Sequence, residues 1–538
     1  MAPKVRVSNV WHRPLLLIKK NTTGEPLNET AVVRIKAPLE AIERTAIYVV
    51  VVIDVSHSTA YDLALPTNKP SRLDLLTKAM KFIIRQLHDG DCLAIVFNDN
   101  LVIDNIEISD DTRVDAENRV HDLLWNKDDI AFRPALQEAI KILDARVDKT
   151  SLGFIILLSD GLDNSKFKWN NTSPAPNDPV RDDIKKYPVH TFGLCKAHDP
   201  KALCFIAKES KATYSSITEN LNSKIIEALA VCLGGLLNIV AVDTVITITA
   251  NQSDTWQPKI KKINSGGYNS SISRDETSCN ITIGILYAGE VKDLIVEFEL
   301  NVPSLDSGGY KYAPLTASGD YKGIPGGQPI DIRSREMEFS VYARRCTPNN
   351  EMPLVQFPMI LQHKVRTSVL NMLGTFKKEF HALQAKAEGD DVKNLAGNEL
   401  REMWKDFKKS KRSWKDAQES GLDLEGIEND IEAMVKSLKQ GQGVGCVYSW
   451  VLSYMMQRAA TTGLPAAAFL TPKMKKMAER AQEESAQAAS SSAASNTQPW
   501  ERVKDLQVLL YKLLEDVSKM GRGERDSFLH SLASVMSP

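Results

Sequence analysis

The stretch Thr45-Ala46-Ile47-Tyr48-Val49-Val50-Val51-Val52-Ile53-Asp54-Val55-Ser56-His57-Ser58 is a run of β-branched residues that ends in three oxygen donors. A run that is apolar at both alternating positions leaves no face for water. It predicts a strand buried on both sides, as in a parallel sheet covered by helices. Leu73, Leu76, Met80, Ile83 and Leu87 follow at helical spacing, and Gly90 closes them. Residues 92–97 form the next strand, and Ala135, Ile140 and Leu143 mark a second helix. Residues 154–158 and 188–194 are further strands, 201–207 begin a helix, and 221–237 form a last one. Alternation of this kind predicts a doubly wound, Rossmann-like α/β domain over residues 45–237.

Sheets of this class bind ligands beyond the carboxyl ends of their strands. Asp54, Ser56 and Ser58 leave the first buried strand at that edge, and Ser159-Asp160-Gly161 leaves the strand at 154–158. Two carboxylates with hydroxyls and water suit a hard cation such as Mg²⁺, whereas zinc prefers Cys and His. Neutral serine ligands leave the ion electrophilic enough to take a carboxylate from a partner. A lone Asp-x-Ser-x-Ser would also pass as an ordinary turn, but two such loops, each after a buried strand, argue against that.

This constellation resembles the metal-ion-dependent adhesion site of von Willebrand factor A-type domains. The resemblance implies Asp54, Ser56, Ser58 and Asp160 as metal ligands, a protein ligand bound through an acidic side chain, and no catalysis. The family's third loop carries a metal-binding threonine. The matching stretch here, Lys127 to Pro134, has Ile130 in that register, so Asp128 or Asp129 is the nearest substitute and Asp129 is taken as the fifth ligand. His57 stands where the family commonly has glycine.

Outside the A-type segment the pattern changes. Residues 240–250 alternate with a period of two, and strand-like runs continue over 294–300 and 337–343 between Gly-Gly turns. Residues 238–347 are therefore expected to form an antiparallel β-sandwich, completed by strands from residues 1–44. The A-type domain would then be an insertion in that sandwich. Residues 348–484 are expected to be helical, with Val365, Val369, Leu373, Phe376 and Phe380 on one face. The Ala- and Ser-rich residues 485–499 are expected to be a linker, and 500–538 a terminal helical segment.

Two of these outer stretches carry a further resemblance. Ile285 to Glu290, and Tyr448 to Ser453 with Gln457-Arg458-Ala459, are similar to the body of plant wavy-growth RING-type ubiquitin ligases and their RING-less relatives. The Cys/His-rich RING has no counterpart in residues 1–44, which contain no cysteine. The resemblance thus implies a RING-less partner or regulator of a ligase as the alternative to a free-standing scaffold.

Composition narrows the rest. A net charge of −1 gives no global field toward nucleic acid or anionic membrane. The seven cysteines are dispersed without a C-x-x-C pair, as for buried thiols in a reducing compartment. With no signal-peptide pattern and no apolar run long enough to span a bilayer, an intracellular, cytoplasmic protein is expected. No nucleophile elbow or phosphate-binding glycine loop is present, so no enzyme activity is expected. The basic run from Lys405 to Lys415, flanked by Trp404 and Trp414, is expected to be a solvated helix face with both indoles packed inward.

Overall fold

The computed structural model describes residues 4–11, 15–18, 26–41, 43–54, 72–97, 100–123, 132–161, 183–218, 221–254, 256–301, 310–332, 341–345, 358–384, 390–464 and 468–494. The chain divides into two units, Met1–Ala481 and Gln482–Pro538.

Three strands come first: β1 (Arg6–Trp11), β2 (Leu15–Ile18) and β3 (Pro26–Lys36). The α/β segment follows as β4 (Ile47–Asp54), α1 (Arg72–Gln86), β5 (Cys92–Phe97), β6 (Asn100–Glu107), α2 (Asp110–Leu123), α3 (Phe132–Ala145), β7 (Leu152–Ser159), β8 (Val189–Leu194), α4 (Pro200–Glu209), β9 (Tyr214–Ile217) and α5 (Leu221–Leu236). Its sheet has the order β6-β5-β4-β7-β8-β9. All pairings are parallel except β5 with β6. The β-branched run forms the central strand. Val50 and Val52 pack with Ala135, Leu136 and Leu203 from α3 and α4, while Val49, Val51 and Ile53 pack with Leu76, Met80 and Leu229 from α1 and α5. Both faces are covered, which is why neither alternation carries a polar residue.

Eight further strands follow: β10 (Ile239–Ala250), β11 (Lys259–Asn264), β12 (Asn269–Ile272), β13 (Ser278–Tyr287), β14 (Val291–Asn301), β15 (Tyr310–Tyr312), β16 (Leu315–Lys322) and β17 (Pro329–Ile332). A ninth is β18 (Val341–Arg345). They make two antiparallel sheets with the N-terminal strands, β1-β3-β14-β11 and β12-β13-β10-β16-β17. β3 runs its whole length against β14, from Lys36↔Val291 to Pro26↔Asn301. Strands from either side of the α/β segment therefore share one sheet. Val33, Ile35, Leu294 and Val296 of the first sheet lie in one core with Ile246, Ile248 and Ile281 of the second. A third sheet, β15-β18-β2, departs from the antiparallel expectation, because β18 and β2 pair in parallel.

The C-terminal region is helical: α6 (Pro358–Gln384), α7 (Asp390–Ser410), α8 (Arg412–Glu419), α9 (Glu425–Lys439), α10 (Gly445–Met456) and α11 (Pro472–Ala494). Val365, Val369, Leu373, Phe376 and Phe380 are buried along α6, as their spacing predicts. Trp404 and Trp414 meet edge to face at 4.9 Å and are buried, while Lys405, Lys409, Lys411, Arg412 and Lys415 are exposed. One expectation needs correction. Residues 485–494, read from composition as linker, continue α11. Alanine is the strongest helix former, and no glycine or second proline interrupts the stretch after Pro472, so the composition that suggested a linker also supports a helix. The terminal segment 500–538 lies outside the described residues. Among the described residues no helix is long and apolar enough to cross a membrane.

Candidate functional site

β4 and β7 are direct neighbours, paired from Ile47↔Leu152 to Asp54↔Ser159. Their carboxyl ends therefore leave the sheet side by side, at the edge where ligands bind in this class of fold. Asp160 follows at once and is buried, at 2% exposure, as is Ser159. The Ser159 hydroxyl lies 3.4 Å from the Gly161 amide, which tightens the turn. The side chain of Asp54, and Ser56, Ser58 and Asp129 entirely, lie outside the described residues. Among the described residues no group of three or more His, Cys, Asp or Glu could hold a metal. A site made of two carboxylates and two serine hydroxyls would not form such a group. One acid from each of two adjacent strand ends fits a hard cation in its donor chemistry.

The turn at Asp160 is tied to the loop after β8. The Asp199 amide donates to the Gly161 carbonyl at 3.1 Å, and the Asp199 carboxylate caps α4 through the amides of Lys201 and Ala202. Within that loop Cys195 adopts a left-handed conformation, with φ of 62°. The ring of His198 is buried and fixed at both nitrogens: Nδ1 lies 2.6 Å from the Cys195 carbonyl and Nε2 lies 2.6 Å from the Tyr214 hydroxyl. Burial lowers its pKa, against the pull of the Cys195 hydrogen bond and the Asp199 and Asp160 charges. It is neutral at neutral pH, so it holds the loop by hydrogen bonding and not by charge. Gly193 sits directly beneath the ring, where a Cβ would come within 2.2 Å of it.

A second polar cluster was not anticipated as a site. Glu290, at the turn between β13 and β14, accepts from Arg458 Nε at 2.8 Å and Nη2 at 3.1 Å, from Lys292 Nζ at 3.0 Å, and from the Tyr287 amide at 3.0 Å. Arg458 also donates to the Ile285 carbonyl at 2.7 Å and stacks over the Tyr287 ring at 4.3 Å. Lys292 reaches the carbonyl of Gln457 at 2.8 Å. The Gln457 amide makes paired hydrogen bonds with the Asp293 backbone, each 2.8 Å long. Asp293 receives Arg34 from β3 through two bonds of 2.7 and 2.8 Å, and His363 Nε2 of α6 lies 3.0 Å away. All three flanking parts of the chain, with His190 of β8 against the Tyr287 hydroxyl at 3.3 Å, thus meet at one buried junction.

Burial alone would raise the Glu290 carboxyl, but Arg458 and Lys292 outweigh it and hold it at about 2. Burial, then the Arg458 charge, push His190 down to about 3. The sequence held one signal for this junction. Glu290 closes one of the two stretches similar to the ligase body, and Gln457-Arg458 lies in the other. In the structure the two stretches touch.

The fold is similar to that of known proteins. Residues 47–216 match the von Willebrand factor type A domain family. The E3 ubiquitin-protein ligase WAV3 of Arabidopsis thaliana is 28% identical over 282 residues, which cover 51% of this chain and 33% of the ligase. The chain thus spans about a third of the curated relative that it matches. The solved von Willebrand factor type A structure from Catenulispora acidiphila shares the fold over 80% of this chain and 90% of its own, with a TM-score of 0.54 at 17% identity. The segment from β4 to β9 thus matches the von Willebrand factor type A domain family and has a similar fold.

Proposed function

We propose that this chain is a non-catalytic scaffold whose A-type domain, inserted in a β-sandwich, binds a protein partner through a divalent ion. Asp54, Ser56, Ser58 and Asp160 would hold the ion, with Asp129 from the third loop. Mg²⁺ is the cation that such a set suits. When bound, it supplies an open coordination position for an acidic side chain of the partner. The observation that supports this reading is the register Asp54↔Ser159, which sets the ends of β4 and β7 side by side. The test is a pull-down from cell extract with wild type and Asp54→Ala, each with Mg²⁺ and with EDTA. Specific captures should be lost on chelation and absent from Asp54→Ala. Captures that are identical in all four arms would reject the ion-mediated mode.

A second reading is favoured by the likeness to the WAV3 ligase. The chain would act as a RING-less partner or regulator of a ubiquitin ligase in the plant manner, inside the cell. A RING protein co-purifying with the full chain is its expected signature. Repeated unbiased purification without one would count against it.

A further inference from the structure

Two guanidinium groups at the buried junction each grip a carboxylate with two prongs. Arg458 holds Glu290 through Nε and Nη2, and Arg34 holds Asp293 in the same way. Each acid is engaged at both oxygens. Glu290 also takes Lys292 and the Tyr287 amide, and Asp293 Oδ2 also lies 3.0 Å from His363 Nε2. A third guanidinium, Arg366, stands at the rim of the junction. It lies on α6, three residues after His363, and is partly exposed. Among the described residues its side chain makes no hydrogen bond and no ion pair. Burial outweighs the pull of Asp293 and brings its pKa down to about 10, so it is still charged at neutral pH. His363 adds no charge at neutral pH, since burial lowers its pKa as well.

The corner around Arg366 is built from α6, the end of α10 and the turn between β11 and β12. Tyr454 and Met455 of α10 are partly exposed, as is Thr367 beside Arg366. The turn packs against both helices. Asn264 Nδ2 donates to Thr367 Oγ1 at 3.0 Å, and a Cβ on Gly266 would come within 2.1 Å of the Met455 carbonyl. Tyr454 stacks on Trp450 at 3.8 Å, and Asp430, the acid it bonds, is already engaged by the Trp450 indole. Among these residues no carboxylate is left over for Arg366. A charge held out of water without a counter-ion costs stability, and the fork of an arginine matches a carboxylate or a phosphate. We propose that Arg366 is the recognition residue of an oxyanion-binding site at this corner. Its ligand presents a carboxylate or a phosphate group, taken by the same two-pronged contact that Arg34 and Arg458 make within the chain. None of these residues belongs to the A-type domain, so the site stands apart from the ion-binding reading.

The test titrates the full chain with inorganic phosphate and with succinate at constant ionic strength, read by calorimetry and by thermal unfolding. Wild type should bind one or both probes and melt at a higher temperature with the probe it binds. Binding of phosphate alone assigns a phosphate group as the ligand, and binding of succinate alone assigns a carboxylate. Arg366→Lys keeps the charge and loses the fork. It should fold and bind at least about 10-fold more weakly, the worth of one charge-assisted hydrogen bond. Arg366→Met removes the unpaired charge. In buffer without either probe it should melt at or above wild type, and neither probe should shift it. Arg412→Gln, at an exposed position on α8, should bind as wild type does. A wild type that binds neither probe, or an Arg366→Met variant that binds them as wild type does, would overturn the site. So would an Arg366→Met variant that melts below wild type without probe, because the chain itself would then be satisfying the guanidinium.

Discussion

The sheet edge at Asp160 and the junction at Glu290 both gather acidic groups, yet they are built in opposite ways. At the junction every charge meets its complement within the chain: Glu290 with Arg458 and Lys292, Asp293 with Arg34. The contributing residues come from strands, from the turn at Glu290 and from the residues just past the end of a helix. Directly paired residues lie up to 259 positions apart, the separation of Arg34 and Asp293. At the edge, Asp54 ends β4 beside Ser159 of β7, Asp160 follows at once, and the contact of the Ser159 hydroxyl with the Gly161 amide shapes the turn. A closed set of charges spends its electrostatics on joining parts of the fold. A strand-end set places acidic positions side by side on a rigid frame, the placement that the proposed ion site would use.

The contrast can be broken most directly at Glu290. Glu290→Ala leaves Arg458 and Lys292 buried without their carboxylate, and removing one partner of a buried pair costs about 3–5 kcal/mol. Urea unfolding of the variant should show a loss of that order. A loss below about 1 kcal/mol would mean that the junction is not what ties the parts together.

Acid sharpens the same point. His190 is neutral in the folded chain but protonates near 6.5 when unfolded, so its contribution falls as pH drops from about 6.5 toward 3. The slope is at most about 1.4 kcal/mol per pH unit for one group. Glu290, held low in the folded state, contributes stability that is present above the ordinary carboxylate range and is lost as pH falls toward about 2. Unfolding midpoints measured at pH 7.5, 5.5 and 4.5 should therefore decline steadily. A midpoint that rises on acidification would contradict the assigned states.

At the edge the expected effect depends on the ion. A ligand bound only by the folded state stabilises it by about 2.7 kcal/mol at a hundred times its Kd. Mg²⁺ should raise the melting temperature of wild type and leave that of Asp54→Ala unmoved. A shift of equal size in both would place the ion elsewhere. The smallest effect is expected at the basic helices. Lys409→Glu and Lys415→Glu, on exposed positions over the Trp404–Trp414 core, should change stability by less than about 0.5 kcal/mol. A larger loss would show that the run has a structural role.

Much of the A-type domain was legible because its signals are local. Val49 to Ile53 could only be a strand covered on both faces, and the hydrophobic spacing along α6 named its buried side. Edge elements were not legible. β6 shows mixed polarity and β9 is a four-residue strand, Tyr214–Ile217, so neither presents a period long enough to recognise. Residues 485–494 were misjudged because alanine-rich composition serves both a linker and a helix. Of the candidate site, residue types and strand context were visible in the sequence, and the register that sets β4 beside β7 came from the fold.

By itself, then, the sequence determined the periodicities, and with them the strands, the helices and the two acidic loops after buried strands. Only the tertiary structure decided which distant residues share a place: Glu290 with Arg458, Arg34 with Asp293, and Gly445 with His198. The reason is physical. Local order follows from how each side chain meets its neighbours in the chain. The partner of a buried charge is chosen by packing and desolvation across sequence separations at which no pattern persists.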